Sequence, residues 1–592
     1  MKKSVAMLLS LACVLSMAGC KDKSESSSTR TTRETKETTE ETSEDTSEET
    51  SEETSSETTE ETTTETTEET TTETTTETTE ETSETSASES ETSETSETSE
   101  SSETSETTNA PAAPATMTIS HDLKVVDWDI DLHYAGYGEL PKGYYQVARI
   151  EESCMGMKVT GEGFDKLSAS IDSFFAEVNK KYDEMYAELF NGFDEAVKNN
   201  NTYYSRYIST DVSVTRADSQ ICSFILGEVN NTTDFFGINV YGHNYDTATG
   251  AEIKFSDVVT DKALFASKLE SAKLTGSNYE VETTRKYIDA MVAELKKGND
   301  LEFVLYPNAI SVMISIASGD SYSSTQQVVL SVADLGDCVN LSYFGSTTKY
   351  YTLIADCENK FRWDFDGDGS IDTLAFENVS SDYYLNYKYT LNGEQISCDK
   401  PQLEGDDFRK AYMIYTDDGW YLYVQYGMED PTPYISIFKF AKDELTFVEE
   451  KGAFARCPSN PEKCTIESRS DLMGTGHVDI PCAIIGNKGV PTQNGDFLTK
   501  DGMGAAREEM VLGLWADGQP TGDSIVIPKG QVVRLIGIDT KNNLVKFAIV
   551  DKNIAEAPTF DMVAVSSDYE KYDVKFDGKN AYQLFDGCTY AD

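Results

Sequence analysis

The run Asp364-Phe-Asp366-Gly-Asp368-Gly369-Ser370-Ile-Asp372 places carboxylates at alternate positions of a short, glycine-containing stretch. In a tight turn such side chains converge on one point. Gly369 permits the sharp bend, Ser370 offers its carbonyl, and Asp372 closes the far side. Ca2+ takes about six to eight hard oxygens at roughly 2.3–2.6 Å in flexible geometry, which this loop can supply together with water. Asp364, Asp366, Asp368, Ser370 and Asp372 are therefore the expected ligands of one structural Ca2+. Without an ion, carboxylates so close in sequence repel one another. The twelfth loop position is Ala375, where a helix–loop–helix calcium site needs a bidentate Glu. The flanking segments, WDF and IDTLAF, read as strands, so the loop is not a helix–loop–helix site; it resembles the calcium loops of β-propeller repeats and similar surface modules. The stretch Asp471-Leu-Met-Gly-Thr-Gly-His477-Val-Asp479 has the same spacing without the middle carboxylates. It reads as the same turn in a second repeat, without metal.

Other chemistry is sparse. Only four His occur, at 121, 133, 243 and 477, so the commonest acid–base group and metal ligand is scarce. No G-x-S-x-G, H-E-x-x-H or phosphate-binding loop is present. The many carboxylates leave glycoside hydrolysis open, because that mechanism depends on a separation in space. His243, beside Asp246, reads as a turn residue bonded to backbone rather than as a ligand. Trp420, Tyr421, Tyr423 and Tyr426 offer a sugar-stacking platform, although strand alternation puts them on two faces and at least one set in the core.

The first twenty residues supply a different chemistry. Lys2 and Lys3 precede an apolar stretch from Val5 to Ala18, too short for the roughly 20 residues of a spanning helix and suited to a cleaved signal. Met17-Ala18-Gly19-Cys20 resembles the bacterial lipobox, which implies cleavage before Cys20 and diacylglycerol on its thiol. More than one acyl chain on Cys20 gives stable anchoring. From Lys21 to about Ala110 the chain is Ser, Thr and Glu in a loose triplet rhythm. With no apolar residue to offset the ordering entropy, it reads as a disordered, self-repelling stalk. Its fully extended limit is about 300 Å and its flexible average about 50 Å, enough to lift a domain off a membrane.

Charge excludes some partners. The formal net charge is −56, of which residues 21–110 carry −25 and residues 111–592 carry −33. Both portions repel phosphate backbones, so no nucleic-acid partner is expected. The membrane partner is reached through lipid rather than through basic surface. Removing Cys13 and Cys20 from the eleven Cys leaves nine, an odd count that requires a free thiol or an intermolecular pair. Cys457 and Cys464 flank a short loop and form the best local disulfide candidate.

The folded part begins at about residue 115. Between Phe164 and Val197 apolar residues recur at threes and fours, including Leu167, Ile171, Phe175, Val178 and Tyr182, which predicts a long amphipathic helix. Further helices are expected within Asp261–Leu274, capped near Ser256-Asp257 or by Thr260, and over Val281–Lys297. Phe235–Tyr241 and Ala251–Phe255 read as strands of a hairpin, and Asp300–Ser318 as two strands broken at Pro307-Asn308. This order, with Tyr241-Gly242-His243-Asn244, YDTATGAEIKFSDVV and LEFVLYPNAISV, resembles the RsiV-like extracellular domain of certain anti-sigma factors and peptidoglycan deacetylases. The resemblance covers about 230 residues. In the anti-sigma members that domain senses lysozyme, so the resemblance implies an extracellular ligand. No deacetylase motif or sigma-binding segment accompanies it.

The expected fold class is α+β, mostly β. An RsiV-like α+β domain (115–345) follows the signal peptide (1–19) and the lipidated, disordered stalk (20–114). A β-rich, propeller-like region with the calcium loop comes next (346–515), then a small SH3-like β-barrel (516–592). The expected function is non-catalytic binding of an extracellular ligand, a wall glycan, host protein or lysozyme, by a lipoprotein on the outer face of the cell membrane. An enzyme acting on wall or dietary glycan and an inert structural spacer are the alternatives.

Overall fold

The computed structural model describes residues 118–130 and 148–588, except 199–204, 232–235, 276–277, 318–321, 381–383, 406, 428–432, 471, 475, 500–502, 517–518, 540, 543, 550–558, 564–574 and 577–578. The expected signal peptide, the expected lipidation site Cys20 and the expected stalk lie outside the described residues. Among the described residues the fold is mostly β, built from four sheets of five or more strands and a few helices.

The first sheet has eight strands: β1 Thr118–Ile130, β2 Ala148–Thr160, β3 Ser205–Ala217, β4 Ile221–Asn231, β5 Phe236–Asp246, β6 Glu302–Leu305, β7 Ala309–Ala317 and β8 Tyr322–Ser331, in the order β1-β2-β3-β4-β5-β8-β7-β6. Two neighbouring pairs, β2 with β3 and β5 with β8, run parallel. A parallel pair needs a crossover, and helices supply both. Helix α1, Asp165–Lys198, makes the first. Helices α2, Lys262–Ser271, and α3, Asn278–Lys296, lie within the second. The predicted apolar stripe of α1 is buried, with Leu167, Ile171 and Tyr182 at 0% exposure against Cys222, Phe224 and Leu226 of β4.

Three local expectations need correction. The cap of α2 is Asp261, whose Oδ1 accepts the backbone N–H groups of Ala263 and Leu264 at 3.0 and 2.9 Å; Ser256-Asp257 and Thr260 do not serve. The hairpin after β5 has almost no second arm. Its return makes one bridge, Tyr245 with Glu252, before a single helical turn at Phe255–Val258. Tyr241-Gly242-His243-Asn244 is no turn but lies inside β5, with His243 paired to Phe224. Gly242 is required there because a Cβ would come within 2.0 Å of the Phe303 carbonyl oxygen.

The middle region is a sandwich. A five-stranded sheet holds β10 Lys360–Trp363, β11 Asp372–Asn378, β12 Leu385–Leu391, β13 Glu394–Gln395 and β15 Gln402–Leu403. A six-stranded sheet holds β9 Tyr351–Ile354, β14 Ser397–Cys398, β16 Asp407–Thr416, β17 Gly419–Gly427, β18 Tyr434–Ala441 and β19 Glu444–Gly452. Phe361, Phe376 and Tyr389 from one meet Leu422, Tyr426 and Phe438 from the other in a common core. The opposite face of the six-stranded sheet is also buried. Tyr412, Ile414, Tyr421 and Tyr423 pack there with the last sheet. Burial on both faces explains why β17 reads as GWYLYVQYG without alternation.

That last sheet has eleven strands and starts earlier than expected. It opens with β20 Cys464–Ser470 and β21 Gly476–Ala483 and includes Val532–Asp539, Leu544–Ile549, Met510–Ala516 and Gln519–Ile527. A boundary at 515/516 would cut the strand Met510–Ala516, and among the described residues the strands on its two sides belong to one sheet. Among the described residues no pair of four-stranded blades recurs, and Asp479 lies in strand β21 rather than in a second acidic turn. Among the described residues no helix is long and apolar enough to cross a membrane.

Candidate metal centre

Strands β10 and β11 form a hairpin whose last pair is Trp363 with Asp372. The acidic loop spans the gap between them. Gly367 and Gly369 adopt φ of +79° and +87°, a conformation that costs other residues energy. Open space surrounds both positions, so backbone conformation rather than crowding selects glycine.

The loop is organised by its own carboxylates. Asp364 Oδ1 accepts the N–H groups of Gly367 and Asp368 at 2.7 and 3.1 Å, and its Oδ2 accepts that of Gly369 at 2.9 Å. Asp372 Oδ2 accepts the Phe365 N–H at 3.2 Å, while Asn392 Nδ2 donates to Asp372 Oδ1 at 2.8 Å. Asn392 also accepts the Thr373 N–H at 2.8 Å, so the β12–β13 turn braces the far side of the loop.

One carboxylate oxygen from each of Asp364, Asp366 and Asp372 lies within 4.8 Å of the other two. Ligands on opposite sides of a Ca2+ ion sit about 4.6–5.2 Å apart, twice the usual bond length. The three oxygens therefore fit around one hard cation, with positions left for water or carbonyl oxygen. Asp368 stands outside this set and accepts the Ser370 N–H through Oδ1 at 2.7 Å. Of the five expected ligands, the fold brings three together by side chain.

Phe365, between the first two aspartates, anchors the loop. Its ring packs edge-on against Trp420 and Phe440, with centroids 5.2 and 5.4 Å away. Trp420 Nε1 donates to the Phe365 carbonyl at 3.2 Å. Sequence reasoning missed Phe365, Trp420 and Asn392 as supports. The Asn392-Gly393 dipeptide is a turn signal that could have located the β12–β13 turn, but not its contact with Asp372.

The other candidates are structural. Trp420, Tyr421, Tyr423 and Tyr426 are 6%, 1%, 0% and 0% exposed, so no stacking platform exists there. His477 and Asp479 are buried in β21, opposite Arg469 and Glu467, and Arg456 donates to Asp479 Oδ2 at 2.9 Å. His243 packs against the rings of Phe174 and Phe224, with centroids 4.3 and 5.2 Å away. Burial lowers its pKa to about 4, which keeps it neutral. Cys457, Cys464 and Cys482 all stand as free thiols, and Cys482 rather than Cys457 is the residue opposite Cys464 in the strand ladder.

No family model matches the chain, and no curated protein matches it. Among solved structures it is similar to a DUF3298 family member from Bacteroides fragilis at 15% identity and a TM-score of 0.27, over 38% of this chain and 95% of that one. It is also similar to a DUF3298 family protein from Pseudomonas aeruginosa PAO1 at 12% identity and a TM-score of 0.21, over 40% of this chain and 97% of that one.

Proposed function

We propose that the chain is a lipid-anchored protein of the outer cell surface that binds an extracellular glycan or protein without catalysis. One Ca2+ ion staples its middle domain. The reading rests first on convergence of the Asp364, Asp366 and Asp372 carboxylates within 4.8 Å. A site with three carboxylates and few other protein ligands is a weak one, and extracellular calcium modules work in the range of about 10⁻⁴–10⁻³ M. Such a loop suits the outside of a cell, where the lipobox and stalk also point. The resemblance to RsiV-like ectodomains supports a binding role for the first domain.

In this role Asp364, Asp366 and Asp372 would hold the ion, which would neutralise their mutual repulsion and fix the β10–β11 hairpin against Trp420. Calorimetric titration of the chain with Ca2+ tests the staple. Saturable binding is expected, lost in Asp366→Ala and Asp372→Ala and weakened less in Asp368→Ala. Absence of heat and of any thermal stabilisation by Ca2+ would remove calcium from the reading. For the anchor, Cys20→Ser should abolish incorporation of labelled fatty acid and release the protein from membranes. Retention of label in that variant would refute lipidation at Cys20.

A further inference from the structure

Cys464 opens strand β20 and stands directly opposite Cys482 of the antiparallel neighbour β21. Both side chains are buried, and the Cys464 thiol donates to the Cys482 carbonyl oxygen at 3.5 Å. They share one apolar cluster with Ile466, Ile480 and Ile484, and Cys457 packs at its margin.

The register decides whether the sulfurs can meet. Ala455 N–H donates to the Thr465 carbonyl, and Glu467 N–H donates to the Ala453 carbonyl. Thr465 and Glu467 therefore turn their backbone groups away from β21, and Cys464 turns its own toward it. Such a hydrogen-bonded pair has Cα atoms about 5.5 Å apart, inside the roughly 4.4–6.8 Å range of disulfides. The Cβ atoms, at about 5.5 Å for the wide pair, must approach by about 1 Å. Cys464 is the first residue of its strand and Cys482 the last but one of its own. The approach is needed only at that end of the β20–β21 ladder, where Cys482 is also paired on its other edge with Gln493.

We propose that Cys464 and Cys482 are joined by a cross-strand disulfide when the chain folds under oxidising conditions. Each thiol loses its proton and one S–S bond forms. The two electrons pass to a disulfide oxidant, whose own S–S bond opens to two thiols. Glutathione disulfide serves in the tube, and a thiol–disulfide oxidoreductase serves outside the cytoplasm. Burial pushes the Cys482 thiol up to about 11 and the Cys464 thiol higher still. Neither is an effective nucleophile once the core has closed, so the bond forms during folding. This inference stands apart from calcium binding and ligand capture.

The test uses the full chain, unfolded in urea with reductant and diluted into glutathione with glutathione disulfide. It is then alkylated and digested with trypsin. Cleavage after Arg456, Lys463, Arg469 and Lys488 puts Cys457, Cys464 and Cys482 on three separate peptides. A linked pair of 464–469 with 470–488 is expected by mass spectrometry, lost on reduction and in Cys482→Ser, and kept in Cys457→Ser. The urea midpoint should rise on oxidation in the wild-type chain and not in Cys482→Ser. Recovery of both cysteines alkylated from the oxidised, refolded chain would overturn the proposal, as would linkage of Cys457 to either.

Discussion

Phe365 and Trp420 join two sheets at the acidic loop: their rings cross at 87° with centroids 5.2 Å apart, and the indole N–H donates to the Phe365 carbonyl. The loop thus rests on the six-stranded sheet by one aromatic contact and one hydrogen bond. Replacing Trp420, 6% exposed, by Ala should cost about 3–5 kcal/mol, the usual range for a buried aromatic. Trp420→Phe keeps most of the packing and loses the bond, so about 1 kcal/mol is expected. Chemical denaturation with and without Ca2+ measures both, and equal losses in the two variants would contradict this division.

Asn392 touches no metal ligand position except through Asp372. Groups that orient a ligand from behind typically change metal affinity about 10–100-fold. Asn392→Ala should weaken Ca2+ binding by that order while leaving the stoichiometry at one ion. An unchanged dissociation constant would show that the brace is irrelevant to the ion.

His243 gives the fold an acid sensitivity of defined sign. Its pKa is about 4 in the folded chain and about 6.5 when unfolded. A depressed value contributes stability that is fully present above the unfolded pKa and lost as pH falls through the folded one. Stability should therefore drop between about pH 6.5 and pH 4 by an amount on the order of 3 kcal/mol. In His243→Gln the slope over that window should flatten, even if lost ring contacts lower stability at pH 7. Parallel stability curves for the two proteins would exclude His243 as the cause.

Arg456 bridges the first and last sheets. Its guanidinium meets Asp211 of β3 at 3.1 Å and Asp479 of β21 at 2.9 Å. Removing one member of a buried ionic group leaves the others uncompensated, at a typical cost of about 3–5 kcal/mol. Arg456→Leu should lose that much by denaturation. A double-mutant cycle with Asp211→Asn should recover part of it, and strict additivity would mean that the pair is not coupled.

Gly242 carries the sharpest steric requirement in β5. A Cβ there would meet the Phe303 carbonyl oxygen at 2.0 Å and the Met313 side chain at 2.9 Å. Gly242→Ala should destabilise the first domain by about 2 kcal/mol or more, because the obstacle is backbone that cannot swing away. A neutral substitution would show that β5 and β6 can separate freely.

Local readings succeeded where a single element carries its own periodicity or its own turn. The stripe of α1 from Leu167 to Tyr182, the break at Pro307-Asn308 and the hairpin around Asp364–Asp372 were legible because spacing dictates them. Readings failed where a distant element supplied the burial. Tyr421 and Tyr423 looked available for a ligand, yet the last sheet covers them, and Tyr423 donates to the carbonyl of Gly489 at 2.6 Å. His243, near Asp246, looked like a turn residue, whereas it lies inside β5 and the preceding Gly242 marks a close strand contact.

The order of residues by itself determined the acidic Ser/Thr/Glu-rich stretch, the lipobox-like Met17–Cys20 pattern and the alternating aspartates, since each is a property of composition or short spacing. Only the tertiary structure decided which aspartates face one another. Asp364, Asp366 and Asp372 converge while Asp368 turns to the Ser370 amide. The hairpin register and the brace from Asn392 orient Asp372, and neither is encoded within the loop. The tertiary structure likewise set Cys464 opposite Cys482, because strand pairing joins residues that sequence distance keeps apart.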